Sequence, residues 1–466
     1  MTPKRALIIL AILLVSFYTT YHLFDSPEPW MDEGLIIQSA MGLLETGRSA
    51  LPVAPGVYEP AWYITTGFPL TLPLALAFGV FGVSLETARV TMALFIFCFF
   101  IALFFYARRA IGGNAAWLGF FLIVFFGPVY GHGRNVLGEV PGLLCILLAL
   151  LPLVRGGVLT PKRAFVAGLG AGLAAAAKPI FILFLPALLI ALLLRRKELE
   201  LHKVFLYGLC GVLAPMLFWL VTQFGTIDLA LVLAVYANPH ELAIGDAITG
   251  NLVRYVTEAG PFYFIAALFA WVVSYGVRRM RRETVSLTEE ALLIFSLLIS
   301  LAFLRSAGYY RYFFPAQVFA LLYLPRALWY LASLKGRFAQ HAAVALVTAL
   351  LIFQMYETSF RSWTATHYSA LRTEALTTFA HGLDSGEELF VYQAPEVMPF
   401  VVGHLAYQFV YITPSLVAGS AYASQVHEGR AKRVITPAEF YAKHQDDIFA
   451  HYTMSVAFDN YVILTP

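Results

Sequence analysis

Three short segments of this 466-residue chain carry side chains able to do acid–base or anion chemistry. The richest is residues 25–66, with six acids (Asp25, Glu28, Asp32, Glu33, Glu45 and Glu59) against one base, Arg48. Asp32 and Glu33 are adjacent, follow Trp30-Met31, and precede residues 34–44, whose Leu35, Ile36, Met41, Leu43 and Leu44 suit a helix lying along an apolar boundary. Such acids can cap that helix and complement its dipole. Held at a boundary between water and lipid, one of them can also act as a general base. Both readings hold together. The second segment is Gly131-His132-Gly133-Arg134-Asn135-Val136-Leu137-Gly138-Glu139. Glu139 stands at the mouth of an apolar run, where a carboxylate is costly without a partner or a task. A carboxylate facing water at a helix N-terminus is the plainer reading. The third set is cationic: Lys178 in Ala177-Lys178-Pro179, and Arg305 and Arg311 on either side of a tyrosine-rich turn. Each alone could snorkel to a headgroup layer. Residues 225–260 add His240, Glu241, Asp246, Arg254 and Glu258.

Apolar segments must position these groups. Hydrophobic residues make up 60% of the chain and charged residues 13%, with a mean hydropathy of +0.74. Soluble domains carry roughly 25% charged residues, so a cytosolic enzyme, a disordered chain and a nucleic-acid binder are excluded. Eleven runs are long and apolar enough for spans: 6–24, 88–107, 114–130, 138–154, 164–177, 179–194, 204–223, 261–277, 291–304, 312–331 and 342–356. The first follows Lys4 and Arg5 without a small-residue cleavage site and reads as a retained anchor. Residues 67–82 are apolar but interrupted by Pro69 and Pro73. If they lie in the outer interface instead of crossing, 18 basic residues fall on the cytoplasmic side and 7 outside, with 6 in the tail. This bias puts the N-terminus in the cytoplasm. It puts the acid-bearing loops and the C-terminal tail outside. If the source is bacterial or archaeal, the membrane is the cytoplasmic one.

The expected fold is an all-α polytopic membrane protein with a small C-terminal α/β domain, divided at 1–356 and 357–466. In the tail, 389–392 and 461–464 read as strands. Residues 437–451 read as a helix with Thr436 as N-cap and Glu439 completing a capping box. Cys98, Cys145 and Cys210 lie in apolar runs, so no disulfide or thiolate metal site is expected.

One outer face thus gathers carboxylates and cations. A carboxylate can deprotonate an acceptor hydroxyl while Lys or Arg stabilises a departing phosphate. That equipment suits sugar transfer from a polyprenyl-phosphate donor. An Asp-Glu pair on an interfacial helix after the first span resembles the GT-C membrane glycosyltransferases. The nearest likeness is to families 39 and 83, the protein O-mannosyltransferases and the transferases that add aminoarabinose or related sugars to lipid A. Tyr58-Glu59-Pro60-Ala61-Trp62-Tyr63, Gly133 to Glu139, Ala177-Lys178-Pro179, Arg311-Tyr312-Phe313-Phe314-Pro315 and the closing Phe458-Asp459-Asn460-Tyr461-Val462 follow in order.

The resemblance implies inverting transfer on the non-cytoplasmic face to a lipid, glycan or protein acceptor. Asp32 would be the base, Glu33 its neighbour and Glu139 a second active-site carboxylate. Lys178 and Arg311 would hold the donor phosphate. Arg134, Tyr58, Glu59 and His240, also on the outer side, are further candidate substrate-binding residues. Relatives often carry Lys or His before two prolines where this chain has Glu59-Pro60-Ala61, which removes one phosphate-facing cation. No cofactor is implied with certainty, and a divalent metal is used by some branches and not by others. Two further classes fit a polytopic chain: a transporter or flippase of lipid-linked or small polar substrates, and a noncatalytic scaffold displaying the tail. A transporter concentrates charge mid-span at a repeat interface, whereas the span centres here are nearly free of charge. A scaffold gives no reason for the outer charges to cluster.

Overall fold

The computed structural model describes residues 3–154, 159–195, 201–225, 230, 243–257, 259–366, 370–384, 386–413 and 416–466. All eleven expected spans fall on helices. In chain order these are α1 (Pro3–Thr20), α2 (Met31–Thr46), α3 (Phe68–Phe81), α4 (Leu85–Ala110), α5 (Gly113–Val124), α6 (Gly127–Arg134), α7 (Glu139–Val154) and α8 (Pro161–Ala177). There follow α9 (Phe184–Leu193, entered through the 3-10 turn Pro179–Leu183), α10 (Leu201–Phe224), α11 (Ile244–Thr257), α12 (Ala259–Met280), α13 (Leu287–Leu304), α14 (Phe314–Ser333) and α15 (Arg337–Tyr356). Among the described residues, four helices are long and apolar enough to cross a membrane, and five if α5 and α6 form one broken span. Those two meet at 52°, where Pro128 opens α6. The 14 residues of α3 reach about 21 Å, short of a hydrocarbon core of about 30 Å.

Small residues let the helices approach. A Cβ at Gly168 of α8 would lie 2.0 Å from the Gly208 carbonyl of α10, and one at Gly211 would lie 2.3 Å from the Phe165 carbonyl. Close backbone contact of this kind replaces the hydrophobic driving force that lipid removes. The main core joins α4, α5, α7, α8, α9, α12, α13 and α14, with Phe99, Phe126, Phe184, Phe264, Phe295 and Trp271 almost fully buried.

The loop after α2 forms a hairpin, β1 (Ala50–Ala54) with β2 (Val57–Pro60), closed around Gly56 at φ +72°. Beyond α15 come α16 (Ala370–His381), β3 (Glu388–Tyr392), β4 (Leu405–Thr413), β5 (Leu416–Ala418), α17 (Ser420–His427), β6 (Val434–Pro437), α18 (Ala438–His444), β7 (Thr453–Phe458) and β8 (Tyr461–Thr465). The six strands form one mixed sheet in the order β5-β4-β3-β6-β8-β7. Strands over 389–392 and 461–464 match β3 and β8. The helix expected over 437–451 is shorter. Thr436 lies in β6 paired with Val462, so sheet pairing takes the residue expected to cap, and the helix stops at His444.

This C-terminal sheet is tied to the first loop. Gln38 of α2 donates to the Pro395 carbonyl at 2.8 Å, and Gln408 of β4 donates to Gln38 Oε1 and to the Pro52 carbonyl. Arg372 pairs with Glu28 at 3.1 Å and with Asp459 at 2.5 Å. A Cβ at Gly34 would sit 2.5 Å from the Glu396 backbone, so α2 rests directly on the C-terminal part. Cys98, Cys145 and Cys210 are all free.

Candidate active site

Asp32 lies in the first turn of α2. The N-cap position is Trp30, which makes no side-chain cap. Asp32 therefore does not cap its own helix, contrary to the plainer sequence reading. Instead Asp32 Oδ2 accepts from Arg311 Nη1 at 2.5 Å. Arg311 comes from the 3-10 turn Tyr310–Tyr312 between α13 and α14, 279 residues away. Its guanidinium stacks over Trp30, Tyr309 and Tyr312 at 5.3–5.6 Å to the ring centroids. Burial works to lower the Arg311 pKa. The charges of Asp32 and then Glu139 outweigh it and hold the group above its ordinary value.

Glu139 opens α7 and Lys178 closes α8, where the following Pro179 ends the helix. Lys178 Nζ is 2.8 Å from Glu139 Oε1, with both side chains buried. Apart from that ion pair, neither oxygen of Glu139 has a hydrogen-bond partner among the described residues. Arg311 and His132 both lie within electrostatic reach of Glu139. Asp32, Arg311, Glu139 and Lys178 thus form one group at one end of the bundle. Arg311 bonds Asp32 and lies within electrostatic reach of Glu139.

The other expected site residues have different tasks. Glu33 is 1% exposed and forms a two-pronged ion pair with the fully buried Arg89 of α4, at 2.9 and 3.1 Å. Arg89 also donates to the carbonyls of Leu23, Phe24 and Pro27, so the pair fastens the α1–α2 connection to α4. Arg134 donates to the carbonyls of Tyr18 and Ser26, anchoring the end of α1. Glu59 accepts from the Gly419 backbone N–H at 2.9 Å, joining the hairpin to the C-terminal sheet. Tyr58 is its half-buried neighbour, its pKa raised by burial and by Glu45. Glu33, Arg134 and Glu59 are thus engaged by partners outside the Asp32 group. His240 lies outside the described residues.

Sequence reasoning missed two residues of consequence. Nothing local in the sequence singles out Arg89, because its partner Glu33 is 56 positions away. His132 appeared only as part of a segment. Its ring meets Phe314 edge-on at 5.1 Å, within electrostatic reach of Glu139, Arg311 and Lys178. Among the described residues, no three His, Cys, Asp or Glu side chains converge in a way that could hold a metal ion.

Comparison with known proteins now bears on this geometry. The profile of the Dolichyl-phosphate-mannose-protein mannosyltransferase family matches residues 70–221. Among solved structures, the chain is similar to ArnT from Cupriavidus metallidurans bound to undecaprenyl phosphate. That match has 12% identity, a TM-score of 0.63, and covers 98% of this chain and 97% of that one. The chain has the GT-C fold. Taken with the family match, that makes it a membrane glycosyltransferase of the GT-C superfamily, as the ordered motifs imply. It is also similar to the Archaeoglobus fulgidus oligosaccharyltransferase in complex with zinc and sulfate. There the identity is 13%, the TM-score 0.56, and the coverage 97% of this chain and 73% of that one. No curated protein sequence matches.

Proposed function

We propose that this GT-C chain transfers a sugar from a polyprenyl-phosphate donor to an acceptor hydroxyl at the non-cytoplasmic face, with inversion at the anomeric carbon. Asp32 acts as the base. The observation that carries this assignment is the difference in access among the three candidate carboxylates. The Asp32 side chain is 33% exposed, while Glu33 and Glu139 are each 1% exposed. Asp32 Oδ2 accepts from Arg311, and Oδ1 has no described partner to block an incoming hydroxyl. A base must reach the proton it takes.

The step then runs as follows. Asp32 takes the acceptor proton, the acceptor oxygen bonds to the anomeric carbon, and the carbon–oxygen bond to the phosphate breaks. The electron pair leaves with the phosphate, which Lys178 and Arg311 stabilise. Glu139 holds Lys178 in place between turnovers. A donor of this lipid class is supported by the undecaprenyl phosphate in the ArnT relative. The acceptor is a lipid, glycan or protein hydroxyl.

The test is to supply purified protein in lipid with a panel of polyprenyl-phosphate sugars and an acceptor extract. Release of free polyprenyl phosphate with transfer of label is expected. The Asp32→Asn variant should lose about 10²–10⁴-fold of that rate without loss of folded protein. Turnover by Asp32→Asn near the wild-type rate would remove Asp32 as base, and no release from any donor would remove the reaction.

A further inference from the structure

We infer that His132 is a further substrate-contacting residue of this site, donating an imidazole N–H to the phosphate of the lipid-linked donor. The inference rests on the transfer reaction proposed above. Three observations carry it. First, the backbone around His132 is fixed. Tyr130 donates to the Val124 carbonyl at 2.9 Å, Arg134 is anchored on the carbonyls of Tyr18 and Ser26, and a Cβ at Gly133 would press on Ile96 at 2.9 Å. Second, Tyr130 and Arg134 spend their polar groups on backbone carbonyls, while His132 does not. Its imidazole has no hydrogen-bond partner among the described residues, and the ring is only partly buried. Third, the ring packs edge-on against Phe314, three residues beyond Arg311, and the charges of Glu139, Arg311 and Lys178 lie within electrostatic reach of it. An anion drawn in by Lys178 and Arg311 arrives beside an imidazole that is held in place and free to donate. When the carbon–oxygen bond breaks and the electron pair moves to the phosphate, such a donor stabilises the new charge without reorganising.

Two variants and one direct measurement test this. In His132→Phe, kcat/KM for the donor should fall about 100-fold while the acceptor KM stays unchanged. Free undecaprenyl phosphate should also become a weaker product inhibitor. His132→Gln, which keeps an N–H donor, should recover a large part of both. Titrating undecaprenyl phosphate into protein labelled with ¹⁵N-histidine should shift an imidazole resonance that His132→Gln removes. This reading on wild-type protein does not depend on how His132→Phe folds. Donor kinetics of His132→Phe within about threefold of wild type would overturn the inference, as would an imidazole resonance that does not move. If wild type itself releases no lipid phosphate, the reaction reading has failed. If wild type turns over and His132→Phe matches it, only the role of His132 has failed.

Discussion

Two clusters of paired charge lie at opposite ends of α13. Near the N-terminus of α13, Glu289 and Glu290 meet Arg278, Arg195 and Arg326. Beyond its C-terminus, about 27 Å away along 18 residues, Arg311 joins Asp32, Glu139 and Lys178. The first cluster is close to saturated. Arg278 bonds Glu289 at 2.5 Å, Arg195 bonds Glu290 at 3.1 Å, and Tyr275 donates to Glu290 at 2.5 Å. Arg195 and Arg278 bond the backbone carbonyls of Val285 and Thr284 as well. Only Glu289 Oε2 lacks a hydrogen bond, and it lies 3.5 Å from Arg326. Among the described residues, the second cluster has spare capacity: Asp32 Oδ1, Glu139 Oε2 and Arg311 Nε have no partner, while Glu139 Oε1 is held by Lys178 at 2.8 Å. The same residue types thus clamp helices at one end. At the other, polar atoms stay without a hydrogen-bond partner among the described residues. Saturation of hydrogen bonding, and not the presence of charge, separates the two.

That contrast can be broken or sharpened by substitution. Glu33→Ala sorts with the saturated group. It leaves Arg89 charged and buried, and should cost about 3–5 kcal/mol of stability, read as loss of folded protein in thermal melts. Full stability with lost turnover would instead move Glu33 into the site. Lys178→Ala sorts with the open group, and the donor KM should rise about tenfold or more, the range of one charged hydrogen bond, while the acceptor KM holds. An unchanged donor KM would remove that role. Glu59→Ala loses a single bond to the Gly419 N–H and should cost about 1 kcal/mol with turnover intact.

The smallest effect concerns Glu396, which accepts from Tyr461 at 2.7 Å. Burial raises its pKa. The folded state therefore holds that proton more tightly than the unfolded state. The resulting stability is full below the unfolded carboxyl value and is lost as pH rises through the folded one. Glu396→Gln should flatten this slope above the ordinary carboxyl range. A slope equal to wild type would exclude the effect.

The fold was largely legible because a run of about 20 apolar residues has few alternatives in water or lipid. The bend between α5 and α6 and the hairpin at 50–60 were not read from the sequence, although Pro128 and Pro55-Gly56 signal both. Thr436 shows a local signal losing to sheet pairing. The site was half legible. Asp32 and Glu139 stand out by their place beside apolar runs. Their sorting from Glu33, Arg134 and Glu59 depends on partners 56 to 360 residues away, and no local pattern encodes such distances.

The most direct test sets the two clusters side by side, with donor turnover and melting temperature measured on Asp32→Asn and Glu289→Gln in the same lipid. The account predicts that Asp32→Asn melts like wild type and loses at least about 100-fold of its rate. Glu289→Gln should melt markedly earlier and keep its rate per folded molecule. Turnover lost in Glu289→Gln and retained in Asp32→Asn would contradict it.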